Sequence, residues 1–116
     1  MYTIYHNPRC RKSREALQYL KHHGKEVTVV NYFNESLSKL TLKEILVQIE
    51  LQPSQLVRKN EGDWKAVANR NLLTEDQILD ILVKYPKVLE RPIVISKDSG
   101  VLARPLGNLI SFLESH

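Results

Sequence analysis

The sequence predicts an α/β protein in which a β-α-β half and a β-β-α half share a mixed sheet and are separated by a helical insert. Three observations favour this architecture. Segments rich in β-prone residues lie only towards the two ends of the chain. The first of these regions has a strand-helix-strand pattern, and the middle has apolar residues at helical spacing. The two end regions are therefore expected to form one sheet, with the helical middle inserted between them.

The length of 116 residues is that of one domain. We expect a single domain over residues 1–116, with its core in 1–31 and 86–116 and the insert over about 40–85. Hydrophobic residues make up 42% and charged residues 26%, which is ordinary globular composition and argues against a disordered or collagen-like chain.

The first half begins with a strand predicted at Tyr2–Tyr5. Asn7-Pro8 ends it, because proline cannot donate to a strand ladder. A helix is predicted at roughly Lys12–His23, and Gly24 follows where a C-cap glycine belongs. A second strand is predicted at Val27–Asn31. Such a unit implies parallel strands joined by a right-handed crossover.

The middle of the chain is predicted to be helical. Thr41–Glu44 matches a capping box, and apolar residues then recur on one helix face. Short helices are predicted at Pro53–Val57 and near Trp64–Ala68. Thr74–Gln77 is a second capping box, and it opens a helix that stops at Pro86.

The last third has two predicted strands and a helix. The strands Pro92–Ser96 and Val101–Ala103 flank a hairpin turn at Lys97–Gly100. Arg104-Pro105 opens the final helix, which has an apolar stripe. The six elements outside the insert then follow the thioredoxin-like order.

Charge, cysteine and histidine usage restrict the classes of partner. The net charge of +4 is a mild basic excess that suits an anionic ligand and is equally common on solvated surfaces. No nucleic-acid partner is expected, since the tyrosines form no stacking motif with the basic residues. The single cysteine excludes an internal disulfide, and the four histidines lack metal-ligand spacing, so no metal is expected.

The location expected from the sequence is a reducing cytoplasm. The apolar runs are far shorter than the roughly 20 residues of a membrane span. The N-terminus lacks the basic and apolar regions of a signal peptide. We expect a monomer without a membrane partner.

Cys10 is the first candidate for chemistry. It follows a strand and a proline-containing turn and precedes a helix, so it is predicted at a helix N-terminus. The N–H groups and the dipole of a helix N-terminus stabilise an anion and lower a thiol pKa. Basic residues also surround Cys10, although their side chains need not point at the sulfur, and the helix N-terminus is the firmer contribution. The alternative is a buried inert thiol.

The spacing of Cys10 and Ser13 is C-x-x-S, which excludes an internal dithiol cycle. Ser13 can donate a hydrogen bond to the thiolate, but a second thiol must come from outside, for example from glutathione. A cysteine-phosphatase loop is disfavoured, because Ala16 stands where that loop needs arginine.

Arg58, Arg91 and Arg104 lie at positions that suit oxyanion binding, next to predicted strands or helices. Each taken alone is more often a surface or ion-pair arginine. His6 alone is more often a turn-stabilising residue than a catalyst.

Four stretches together resemble the glutaredoxin-dependent arsenate reductases. Tyr5–Arg14 resembles their active-site loop, Leu56–Asn60 their middle arginine segment, and Arg91–Val94 and Leu102–Pro105 their two later arginine motifs. The four motifs occur in the same order and with similar spacing over nearly the whole chain. The resemblance also implies the thioredoxin-like fold with a helical insert.

The resemblance implies a role for each matching residue. Cys10 would be the nucleophile that attacks arsenate, and Arg58, Arg91 and Arg104 would hold the oxyanion. The residues implied to support the thiolate by position and hydrogen bonding are His6, Asn7 and Ser13. Glutathione as co-substrate would form a thiol–arsenic adduct, glutaredoxin would supply the reducing thiol, and no tightly bound cofactor is implied.

The chain departs from the family pattern directly after the cysteine. Arg11-Lys12 stands where characterised members commonly have Gly-Thr. The change adds two charges and bulk at the mouth of the loop, which could strengthen anion capture, obstruct arsenate or change the thiol partner.

The alternative function is that of a regulator. Spx-like proteins share this fold and the arginine–proline motif, and they bind RNA polymerase without turning over a substrate. The redox-switch members carry C-x-x-C, whereas position 13 here is Ser13.

Overall fold

The computed structural model describes residues 1–35 and 37–115. They divide into two compact units. The first unit holds Met1–Glu35 together with the segment from Arg91 onward, and the second holds the residues between them, up to Glu90. The sequence placed the insert at about 40–85, within the second unit, and the assignment of both units to a single domain stays a prediction.

The helices and strands follow one another along the chain in the predicted order. In sequence they are β1 (Tyr2–His6), α1 (Arg11–His22), β2 (Val27–Asn31), α2 (Lys39–Ile49), α3 (Gly62–Lys65), α4 (Glu75–Lys84), β3 (Ile93–Ser96), β4 (Ser99–Leu102) and α5 (Leu106–Ser115). Short 3₁₀ segments lie at Pro53–Leu56, Arg70–Leu72 and Pro86–Val88. The predicted β-α-β and β-β-α halves are therefore present.

The first unit contains a four-stranded mixed sheet with the strand order β2-β1-β3-β4. Strand β1 pairs in parallel with β2, from Tyr2 opposite Val27 to His6 opposite Asn31. Strand β1 is antiparallel to β3, and β3 and β4 form a hairpin. The mixed α/β sheet predicted from the sequence is confirmed.

The β3–β4 turn is shorter than predicted. Ser96 pairs with Ser99, which leaves only Lys97 and Asp98 in the turn, and β4 begins at Ser99 instead of Val101. Lys97 has a φ of 54°, in the left-handed region. Two-residue hairpin turns require a positive φ, because this conformation matches the twist of the strands. Lys97 adopts it here, at a position where glycine is more common.

The core of the first unit lies between the sheet and helices α1 and α5. Its buried residues are Ile4, Ala16, Leu20, Val94, Ala103 and Leu109. Ala16 and Leu20 are four residues apart and share one face of α1. Packing of this face against the strands fixes the start of α1 beside the end of β1, and the loop between them carries Cys10.

The second unit consists of helices α2, α3 and α4 and the short 3₁₀ segments. The prediction that Thr41 caps α2 was wrong: Ser38 is the N-cap, and its Oγ accepts from the Thr41 N–H at 3.0 Å. Three further residues, Lys39, Leu40 and Thr41, therefore belong to the helix. At α4, the predicted capping box is confirmed, with Thr74 and Gln77 bonded to each other's backbone N–H groups.

Two details of the second unit differ from the sequence prediction. The helix predicted near Trp64–Ala68 is observed at Gly62–Lys65. The 3₁₀ turn at Arg70–Leu72 was not predicted, and it follows Asn69, whose φ is 55°. Asparagine tolerates this left-handed conformation better than most residues.

Within residues 1–35 and 37–115, no helix is long and apolar enough to cross a membrane.

Candidate active site

Cys10 is the N-cap residue of α1, with φ −90° and ψ 121°. Its N–H donates to the carbonyl of Asn7 at 3.0 Å, and its carbonyl accepts from the N–H of Arg14 at 3.0 Å. The side chain is half-buried. The position at the helix N-terminus, which the sequence predicts, brings the free backbone N–H groups of the first turn towards the sulfur.

The pKa of the Cys10 thiol lies below its ordinary value. Partial burial is the largest single influence and raises the pKa, but the lowering influences together exceed it. They are hydrogen bonds from the backbone N–H groups of Ser13 and Lys12 and both a hydrogen bond and the charge of the Arg91 guanidinium. Cys10 is therefore disposed to ionise, as a nucleophilic cysteine must.

Arg91 immediately precedes β3 and reaches the Cys10 sulfur through its side chain. It is only 8% exposed. Its guanidinium carbon lies 5.9 Å from the centre of the Phe33 ring, a cation–π contact. Phe33 is held in turn by a hydrogen bond from its N–H to Asn31 Oδ1 at 3.1 Å. The turn that follows β2 thus supports an arginine at the start of β3.

Arg104 contacts the same sulfur from the end of β4. Its Nη1 lies 3.8 Å from Cys10 Sγ, and the side chain is half-buried. The Arg104 carbonyl accepts from Asn108 Nδ2 at 3.0 Å, and this amide also donates to the carbonyl of Leu102 at 3.2 Å. Asn108 therefore ties the end of β4 to the first turn of α5.

His6, Asn7 and Ser13 form a buried hydrogen-bonded group beneath the Cys10 loop. The Ser13 hydroxyl is bonded to His6 Nδ1 at 2.6 Å and accepts from the Asn7 N–H at 3.1 Å. Burial, followed by the charges of Arg14 and Lys21, lowers the pKa of His6, which favours the neutral ring. The hydroxyl that the sequence assigned to the thiolate is thus directed at His6 and Asn7, and Ser13 reaches Cys10 through its backbone N–H.

The loop before Cys10 is closed by local hydrogen bonds. The Asn7 Oδ1 accepts from the N–H of Arg9 at 3.1 Å, an Asx turn. The guanidinium of Arg14 donates to the carbonyl of Pro8 at 3.0 Å. These contacts join β1 to the first two turns of α1 and hold the cysteine at the helix terminus.

Arg58, the third predicted oxyanion ligand, belongs to the second unit. Its N–H donates to the carbonyl of Val88 at 2.7 Å, and its Nε lies 3.4 Å from Glu90 Oε1. The side chain is half-buried. Its placement beside Cys10 stays a prediction, whereas Arg91 and Arg104 are both brought to the sulfur.

No group of three or more His, Cys, Asp or Glu residues in the described part of the chain could hold a metal ion.

Phe33 and Asn108 contribute to the site and were missed by the sequence reasoning. Phe33 belongs to a turn, and nothing in its neighbourhood indicates that an arginine 58 positions later will lie over its ring. Asn108 could have been found, because an asparagine in the first turn of a helix often bonds a nearby carbonyl.

The fold and the site together define a class of protein: a thioredoxin-like α/β unit with one ionisable cysteine at a helix N-terminus and arginines around its sulfur. Comparison with known families agrees with this class. Residues 5–109 match the ArsC family model. The chain belongs to the ArsC family.

Among curated relatives, the chain is similar to an arsenate reductase of Neisseria meningitidis, with 34% identity covering 95% of this chain and 96% of that protein. It is also similar to the uncharacterized protein YfgD of Escherichia coli, with 36% identity covering 88% of this chain and 87% of that protein. A solved structure of an arsenate reductase from Vibrio cholerae is 32% identical, with a TM-score of 0.81 and 90% of each chain covered.

Proposed function

We propose that this protein is a thiol-dependent arsenate reductase in which Cys10 is the nucleophile. The observation that carries the proposal is that Arg91 and Arg104 converge on the Cys10 sulfur from distant parts of the chain. A thiolate surrounded by arginines suits attack on a tetrahedral oxyanion, whose negative charge the guanidinium forks hold. Membership of the ArsC family supports the same reaction.

The first step forms a bond between the Cys10 sulfur and arsenic. The thiolate attacks arsenate, an oxygen leaves as water, and arsenic remains As(V). Arg91 and Arg104 reach the sulfur and would bind the remaining oxygens, with Arg58 completing the set. His6, Asn7 and Ser13 hold the loop that carries the thiolate.

The later steps need thiols from outside, because Cys10 is the only cysteine. Glutathione displaces a second oxygen and forms a mixed thiol–arsenic adduct. A glutaredoxin thiolate then attacks the glutathione sulfur, the two form a disulfide, and the electron pair left on arsenic reduces As(V) to As(III). Arsenite is released when water displaces Cys10. A reducing cytoplasm, where both thiols are abundant, suits this chemistry.

The test is release of arsenite from arsenate with glutathione and glutaredoxin, measured for the native protein and for Cys10→Ser. We expect release that depends fully on Cys10, because serine supplies no thiolate at neutral pH. Lys25→Gln, which removes an exposed cation at the other end of the first unit's sheet, is the matched control and should keep full activity. Equal release from native protein and Cys10→Ser would refute the proposal, and no release from either would favour the regulator.

A further inference from the structure

Two exposed cations occupy the first turn of α1, directly after Cys10. The side chain of Arg11 is 85% exposed and that of Lys12 is 47% exposed. Both are paired only loosely with one carboxylate, that of Glu15: Arg11 Nε lies 3.5 Å and Lys12 Nζ 3.8 Å from it. The first turn of α1, next to Cys10 in the sequence, therefore keeps a net positive charge on these exposed side chains.

These two cations are unfavourable for the helix. The N-terminus of a helix carries a partial positive charge and is stabilised by Asp or Glu, whereas Lys and Arg suit the C-terminus. The first turn of α1 contains no acidic residue. A residue type that destabilises its own helix is characteristic of a position with a functional role.

The side chains of Arg11 and Lys12 are also not among the groups named as lowering the pKa of Cys10. The pKa of Cys10, which burial alone would raise, is lowered by the backbone N–H groups of Ser13 and Lys12 and by Arg91. Arg91 and Arg104 already supply guanidinium groups at the sulfur. The exposed pair is thus available to interact with a molecule that approaches Cys10 from solvent.

We propose that Arg11 and Lys12 select an anionic thiol, one that carries carboxylate groups, as the molecule that attacks the adduct on Cys10. The inference rests on the proposed function, in which an external thiol must reach a lone cysteine. A thiolate that carries more carboxylates than ammonium groups is drawn towards two exposed cations, and a thiol whose only charged substituent is an ammonium group is repelled. Arg11 and Lys12 are therefore specificity-determining residues for the thiol, and the arginines at the sulfur bind the oxyanion.

The experiment uses the uniqueness of Cys10 and requires no arsenate. Cys10 is first converted to its methyl disulfide. An added thiolate attacks the methyl-bearing sulfur, a new disulfide forms between them, and Cys10 leaves as its thiolate, so that Cys10 is reduced and the attacking thiol is oxidised. The rate constant per thiolate is measured by mass spectrometry for 3-mercaptopropionate, 2-mercaptoethanol and cysteamine, which carry a carboxylate, a hydroxyl and an ammonium group.

The readout is the ratio of the rate constants for 3-mercaptopropionate and cysteamine. Any change in the leaving ability of Cys10 affects both rates equally and cancels in this ratio. We expect the double variant Arg11→Gln with Lys12→Gln to lower the ratio by about tenfold at low salt. Arg11→Glu with Lys12→Glu should lower it further, so that the ammonium thiol becomes the faster one.

Controls separate this local effect from net charge. Lys25→Gln, at the opposite end of the sheet, should change the ratio measured at 0.1 M salt by less than about twofold, since exposed charges are screened beyond about 10 Å at this concentration. In 1 M salt the native protein and the double variant should give the same ratio, because the screening length falls to about 3 Å.

A ratio that is equal in the native protein and in both double variants at low salt would overturn the proposal. The same unchanged ratio could occur together with weaker protection of Cys10 by arsenate against alkylation in the double variants. That result would also overturn the proposal, because the two cations would then act on the oxyanion and not on the thiol. Failure of the proposed function would appear separately, as absence of arsenite release in the coupled assay, with the thiol ratio unaffected.

Discussion

The groups that make Cys10 reactive are not the side chains next to it in the sequence. Arg11 and Lys12 follow Cys10 in the sequence, but their side chains contact Glu15. The favourable contacts come from backbone N–H groups of the first helical turn and from Arg91. A cluster of basic residues around a cysteine is thus a weaker indication of a reactive thiol than the position of that cysteine at a helix N-terminus.

Arg91→Ala is expected to raise the pKa of Cys10. Burial, the largest influence, already raises this pKa, and without Arg91 a hydrogen bond and a positive charge that favour the thiolate are lost. The rate of iodoacetamide alkylation should therefore rise at higher pH than in the native protein and should be several-fold lower at pH 7. The measurement is the alkylation rate across pH.

Arg104→Ala is the matched comparison for Arg91→Ala. Its Nη1 lies 3.8 Å from the sulfur, so this guanidinium also favours the thiolate. The alkylation profile of this variant should therefore move to higher pH, as that of Arg91→Ala does, and arsenate should protect Cys10 less well. A profile identical to that of the native protein would contradict a contact between Arg104 and the thiolate.

Ser13→Ala is expected to lower the free energy of unfolding by about 1–3 kcal/mol, because His6 and Asn7 each lose a buried hydrogen-bond partner. Ser13 is fully buried, so water cannot replace the hydroxyl without rearrangement. The backbone N–H at position 13 remains, so the alkylation profile of Cys10 should move little. Urea denaturation measures the stability.

The control for Ser13→Ala is Ser111→Ala, on the exposed face of α5, which should change stability by no more than about 0.5 kcal/mol. A large shift of the alkylation profile in Ser13→Ala with unchanged stability would instead place the hydroxyl on the thiolate, as the sequence alone suggests.

At the scale of the elements, most helices and strands were predictable because each carries its own local signals. Strand β2 is observed at the predicted Val27–Asn31, and the capping box at Thr74 opens α4 as expected. The start of α2 was placed too late, because two candidate capping residues, Ser38 and Thr41, lie three positions apart. Residue type alone does not choose between them, because serine and threonine are both favoured at an N-cap.

Ser38→Ala is expected to destabilise the protein by about 1 kcal/mol, because Ser38 Oγ accepts from the Thr41 N–H, which has no partner within the first turn of α2. Glu44→Ala, the change that would matter if Thr41 opened the helix, should cost no more than about 0.5 kcal/mol. The comparison is made by thermal or urea denaturation. Equal losses would restore the capping box that the sequence predicts.

At the scale of the whole molecule, only the family resemblance predicts that the arginines lie beside Cys10. Residue spacing alone does not bring Arg91 and Arg104 to Cys10, since that requires β3 to pair with β1 and β4 to pair with β3. Such long-range pairing is decided by the packing of the complete sheet. Phe33 beneath Arg91 follows from the same pairing and has no signal in its own segment.

Arg58→Ala tests whether the second unit contributes to oxyanion binding. We expect the KM for arsenate to rise by about tenfold, because a charge-assisted bond to the substrate is lost. The alkylation rate of Cys10 without arsenate is measured beside it, so that a loss of arsenate binding is distinguished from a loss of thiolate. Steady-state kinetics in the coupled assay measures the effect.

Lys59→Ala removes the neighbouring exposed cation and should leave the KM for arsenate within about twofold of the native value. If Arg58→Ala also leaves the KM within about twofold of the native value, Arg58 forms the ion pair with Glu90 and does not bind the substrate.

The distance along the chain between Cys10 and its arginines has a consequence for biosynthesis. The contact between Arg104 and Cys10 spans 94 positions, and Arg91 lies almost as far away. While a ribosome is translating the codons between Cys10 and Arg91, the cysteine has already been made, but Arg91 and Arg104 have not. A nascent thiol without them is closer to an ordinary cysteine, less ionised at neutral pH. The protein therefore acquires its full nucleophilicity late in synthesis, which limits side reactions of Cys10 before the active site exists.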